Sequence, residues 1–66
     1  MEIRVNGEPR SVPDRITVAD LIRELAVAPE RVAVEVNEQL VRRVTFADTP
    51  LRPGDRVEIV TLVGGG

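Results

Sequence analysis

The residues best suited to chemistry stand at the end of the sequence, Leu62-Val63-Gly64-Gly65-Gly66. With Gly66 last, the chain is expected to finish in a free α-carboxylate carried on three residues that lack a Cβ. Glycine reaches backbone angles closed to other residues and lets another backbone approach closely. Three residues extend at most ~10 Å, at ~3.3–3.6 Å each, enough to carry a carboxylate off a domain surface and down a narrow channel. The competing reading is an ordinary frayed terminus, because chain ends are commonly poorly ordered. The rest of the chain has to decide between the two.

That rest holds little else that could react. Cysteine is absent, which excludes a thiolate nucleophile and a thiolate zinc site. Histidine is absent too, so the usual general base and the commonest nitrogen ligand are missing. No catalytic residue is assigned. The aspartates and glutamates show no clustered spacing that would hold a metal, and they read as solvated charges. Phe46 is the only aromatic residue, which leaves no platform for stacking bases. The net charge of −2 argues against nucleic acid or an anionic membrane as partner. Met1-Glu2-Ile3-Arg4-Val5 carries no leader pattern, and no apolar run spans a bilayer, so a cytoplasmic monomer is expected. All nine basic residues are arginine. An activated carboxyl on Gly66 would therefore meet no lysine amine on its own chain.

The elements that must position the tail can be read in order. Glu2-Ile3-Arg4-Val5 alternates polar and apolar, as a half-buried strand does. Asn6-Gly7 is a strong hairpin signal because both residues accept positive φ, so residues 2–12 read as a β-hairpin. Thr17 fits a helix N-cap, with Asp20 at N3 closing a capping box and Ile16 and Leu21 forming a hydrophobic staple. Val18, Leu21, Ile22 and Leu25 line one face of a helix expected over about 18–26, before Pro29. Residues 31–37 return to period two, Asn37-Glu38-Gln39 turns the chain, and Leu40-Val41 starts a short strand. Residues 42–50 read as a loop anchored by Phe46. Arg52-Pro53-Gly54-Asp55 fits a type II turn, and residues 57–63 form the last strand. In it Val57, Ile59 and Thr61 share one face, and Glu58, Val60 and Leu62 share the other. If the first set faces the helix, Val60 and Leu62 point outward beside the tail as a docking patch. The whole is one α+β domain over residues 1–66, with a small mixed sheet, one helix across it and an extended tail over 63–66.

Several stretches together resemble the β-grasp sulfur-carrier family, and within it the ThiS carriers of thiamine biosynthesis. They are Val5-Asn6-Gly7-Glu8, Thr17-Val18-Ala19-Asp20-Leu21, Val32-Ala33-Val34-Glu35-Val36-Asn37, Leu40-Val41, Pro53-Gly54-Asp55-Arg56-Val57-Glu58-Ile59 and Gly65-Gly66. Members often have Val-Pro-Arg where this chain has Val41-Arg42-Arg43, a departure confined to the loop. The resemblance implies a ubiquitin-like β-grasp fold with a mixed four- to five-stranded sheet. It also implies that a ThiF-like adenylyltransferase activates the carboxylate of Gly66 with ATP and magnesium bound at the enzyme. Sulfur drawn through a cysteine desulfurase then makes a thiocarboxylate, which a ThiG-like thiazole synthase consumes. Gly65 and Gly64 would be the slim residues recognised in the enzyme's channel, and the carrier itself would bind no cofactor. Other readings stay open at this point. One is a sister carrier, such as the small subunit of molybdopterin synthase or a carrier for tRNA thiolation or cysteine synthesis. A ubiquitin-like modifier and a β-grasp binding module with an incidental tail are the others.

Overall fold

The computed structural model describes residues 1–62; the expected extended tail over 63–66, with Gly64, Gly65 and Gly66, lies outside the described residues. The first hairpin forms as read, with β1 over Glu2–Val5 and β2 over Glu8–Ser11. Its turn residues Asn6 and Gly7 sit at φ 52° and 84°, and Val5 pairs with Glu8 across them. Two consecutive positive φ angles give the twist that matches a right-handed hairpin.

Helix α1 runs over Val18–Glu24 and is capped as the sequence indicates. The Thr17 hydroxyl accepts from the Asp20 amide at 3.1 Å, and the Asp20 carboxylate accepts from the Thr17 amide at 3.2 Å. Val18, Leu21 and Ile22 are buried beneath it. The far end falls short of the expected residue 26. Ala26 adopts φ 58°, its amide donates to the Arg23 carbonyl, and the Val27 amide donates to the Ile22 carbonyl. That pair of bonds closes a Schellman end, in which the left-handed position is usually glycine. Here alanine takes it, so the stop carries no glycine signal.

Strand β3 covers Val32–Val36 and β4 covers Gln39–Val41. Between them the turn is only two residues long, because Gln39 already pairs with Val36, while Asn37 and Glu38 sit at φ 52° and 70°. Residues 42–50 are not the irregular loop expected. Arg43–Asp48 forms a 3₁₀ helix, with the Thr45 hydroxyl donating to the Arg42 carbonyl and the Thr49 hydroxyl to the Thr45 carbonyl. Phe46 points from it into the core, as expected of the only aromatic. Leu51 is buried as well, fixed where its amide donates to the Ile16 carbonyl. The Arg52–Asp55 turn closes through the Asp55 amide on the Arg52 carbonyl, with Gly54 at φ 83°.

Strand β5 spans Arg56–Thr61, and the five strands align in the order β2-β1-β5-β3-β4. β5 runs parallel to β1 and antiparallel to β3, so the last strand is the middle of the sheet. The helix packs on one face over Ile3, Val34 and Val57, and the other face is open. This is the mixed β-grasp arrangement, with five strands.

Candidate functional site

The candidate site is the end of β5, the strand that leads to the glycines in sequence. Its first residues are held from both sides by asparagines of the two hairpin turns. Asn6 donates its backbone amide to the Val57 carbonyl at 2.8 Å. Its side chain then reaches on to Ile59, accepting from the Ile59 amide at 2.8 Å and donating to the Ile59 carbonyl at 3.2 Å. A primary amide presents one acceptor and donors side by side, so it can stand in for a strand residue and lengthen the β1–β5 ladder. On the other side Asn37 does a related job. Its side chain accepts from the Arg56 amide at 2.9 Å and donates to the Asp55 carboxylate at 3.0 Å, while its backbone amide donates to the Arg56 carbonyl. Both asparagines occupy left-handed backbone positions, which short polar side chains tolerate. Sequence reasoning used Asn6 and Asn37 as turn formers only. Their second use needs the strand order, because the bonds they make run to residues 19 and 53 positions away.

The far part of β5 is different. Val57 is 1% exposed and Ile59 is half-buried, so the face assigned toward the helix is the correct one. Thr61 shares that face and is exposed. Val60 and Leu62 point to the open face, 60% and 51% exposed. Val60 stands opposite Ala33, and the Leu62 amide donates to the Arg31 carbonyl at 2.7 Å. The expected outward pair is therefore real, and it lies one residue before the first residue of the tail. Leu40 is also exposed on this face, opposite Glu35 on β3. Arg4 and Arg56 stand side by side across the β1–β5 ladder, so the apolar tip gives way to charge further down the strand.

Among the described residues no group of three or more acidic, histidine or cysteine side chains is placed to hold a metal. The Asp20 carboxyl is held below the usual carboxylate range by the Thr17 amide, then by the Thr17 hydroxyl and the nearby Arg23. Its bonds belong to the helix cap and lie on the structural side of the molecule.

A family model for the ThiS family matches residues 3–66. The chain belongs to the ThiS family. It is 40% identical over 62 residues to the sulfur carrier protein ThiS of Thermus thermophilus, covering 94% of this chain and 95% of that one. The crystal structure of the thiamine biosynthesis protein ThiS from Geobacter metallireducens superposes with a TM-score of 0.87 at 38% identity, over the full length of both chains. The fold is thus the ThiS β-grasp. A thiazole synthase of Magnetococcus marinus is 41% identical over 66 residues, and there the chain spans only 20% of the relative's length. In that protein a ThiS-like segment and a thiazole synthase share one polypeptide.

Proposed function

We propose that the protein is a sulfur carrier whose Gly66 carboxylate is adenylated and then converted to a thiocarboxylate that supplies sulfur for thiazole formation. The observation that supports this reading is the match to the ThiS family over residues 3–66, a range that takes in the glycines. The geometry agrees with it, since the strand leading to the glycines is central in the sheet and exposes apolar side chains only at its tip.

The chemistry follows from the weakness of a carboxylate as an electrophile. A carboxylate oxygen attacks the α-phosphorus of ATP at a ThiF-like adenylyltransferase, and pyrophosphate leaves. The magnesium ion belongs to the nucleotide at that enzyme. The acyl adenylate has AMP as a good leaving group. The terminal sulfur of a cysteine persulfide, charged by a desulfurase, attacks the acyl carbon and displaces AMP. A second thiol then takes the S–S bond, forming a disulfide and releasing the thiocarboxylate. The carrier contributes reach, slimness at Gly64, Gly65 and Gly66, and a surface at Val60 and Leu62 on which the enzymes dock. It acts as a co-substrate and turns nothing over itself. The thiazole synthase that carries a ThiS-like segment supports a ThiG-like enzyme as the acceptor.

Intact mass spectrometry tests the reading. With ATP, magnesium, a ThiF-like enzyme and a persulfide donor, the full chain should exchange one oxygen for sulfur, and a chain lacking Gly65-Gly66 should not. An unchanged mass for the full chain, with an enzyme active on its own carrier, would favour a binding module with an incidental tail.

A further inference from the structure

The hydrogen-bond alternation along β5 leaves one backbone position open next to the tail. In an antiparallel pair, alternate residues bond the neighbour and the residues between them point their N–H and C=O groups the other way. The Asn37 amide bonds the Arg56 carbonyl and the Leu62 amide bonds the Arg31 carbonyl, so the even residues of β5 serve β3. The odd residues serve the β1 side, where Val57 takes the Asn6 amide and Ile59 takes the Asn6 side chain. Asn6 is the last group on that side among the described residues. Thr61, the next odd residue, has no backbone or side-chain hydrogen bond toward β1 among the described residues. Its side chain is exposed, and the apolar Val60 and Leu62 flank it.

An unpaired strand edge is a template for another extended chain, and natural proteins usually blunt such edges with proline, charge or covering loops. The outer edge of β2 is blunted in this way, since it carries Glu8, Pro9 and Arg10. At Thr61 the sequence Val60-Thr61-Leu62 holds no charge and no proline.

We propose that Thr61 is the first rung of a β-augmentation site, occupied by an extended backbone segment of the thiazole synthase that receives Gly66. The inference rests on the carrier reading above. It commits to that occupant on grounds of reach. Gly66 lies five positions after Thr61, so an enzyme whose site holds the Gly66 carbonyl carbon presents its own backbone within ~18 Å of Thr61. A strand added there would accept from the Thr61 amide and donate to its carbonyl. It would fix the register in which the glycines enter, which side-chain contacts at Val60 and Leu62 alone do not.

The test uses the full chain and a purified stand-alone thiazole synthase, with binding followed by titration. Thr61→Pro removes the amide without breaking any bond to β3, at a position where an edge strand tolerates proline. Binding should weaken by about tenfold or more, while Thr61→Val, which keeps the amide, binds like the parent. Amide exchange by NMR gives a second readout that needs no variant. The Thr61 amide should exchange fast in the free carrier and become protected in the complex. Equal binding by a folded Thr61→Pro chain, or a Thr61 amide left unprotected in the complex, overturns the edge assignment alone. A parent chain that does not bind the synthase overturns the acceptor reading with it. Protection that grows with carrier concentration, together with a dimer mass, puts a second copy on the edge and overturns the proposal.

Discussion

The two ends of β5 are built on opposite principles. From Arg56 to Ile59 the strand is bonded on both sides, clamped by Asn6 and Asn37, and buried at Val57. From Val60 to Leu62 it is bonded, among the described residues, on the β3 side only, and its apolar side chains face solvent. One strand thus passes from a buried root to an exposed tip. The difference teaches where to look for function in so small a domain, since a core of this size leaves few residues to spare. Apolar groups exposed at the tip are the ones the fold could have replaced at little cost.

The contrast is sharpest in a pair of substitutions on the same strand. Val57→Ala should cost about 2–3 kcal/mol, the loss of two buried methyl groups plus the space they leave. Val60→Ala should move stability by less than ~0.5 kcal/mol, as exposed positions usually do. Urea unfolding of the two variants reads the difference, and titration with thiazole synthase should reverse the order among folded chains. A Val60→Ala chain as destabilised as Val57→Ala would break the division between root and tip.

A smaller effect is expected at the clamp. Asn6→Ala removes two hydrogen bonds to Ile59 from a partly solvated site, and should cost about 1–2 kcal/mol. Asn6→Asp keeps the acceptor for the Ile59 amide but loses the donor to its carbonyl, so it should fall between parent and alanine. If Asn6→Ala unfolds at the same urea concentration as the parent, the side chain is not fixing the root.

The smallest effect is one of pH and should stay on the structural side. Folding lowers the Asp20 pKa through its bonds to Thr17. Its stabilising contribution is therefore complete above the ordinary aspartate value of 3.8 and is lost as pH falls through the lower folded value. Asp20→Asn should flatten that part of the stability–pH curve, measured by urea titrations at successive pH values. Amide shifts at Val60, Thr61 and Leu62 should follow the same course with pH in the parent and in Asp20→Asn, which would sharpen the separation of helix cap from tip.

Much of this was legible before the structure. Asn6-Gly7, Thr17 with Asp20, the Val18-Leu21-Ile22 face and Pro53-Gly54 are local signals, and each produced the element expected. Period two in the last strand placed Val60 and Leu62 outward without any knowledge of the strand order. What escaped were features whose cause is distant or borrowed. Ala26 ends the helix in a conformation that normally calls for glycine, so nothing in its type announces the stop. The 3₁₀ helix after Arg42 is held by hydroxyl-to-carbonyl bonds of Thr45 and Thr49, which leave no hydrophobic period. Leu51 falls between the 42–50 stretch and the Arg52–Asp55 turn, in no expected element, and is core, with its amide tied to Ile16 across the sequence. The clamp by Asn6 and the open amide of Thr61 depend on which strand lies beside β5, and no local pattern carries that.

Delivery of sulfur from the tail can be followed directly. A carrier bearing isotopically labelled sulfur on the Gly66 thiocarboxylate would be given to a thiazole synthase with its other substrates, and the product mass read. A sulfur carrier should leave the labelled sulfur in the thiazole, with the label lost from the protein. Unlabelled thiazole, formed while the protein keeps its labelled sulfur, would contradict it.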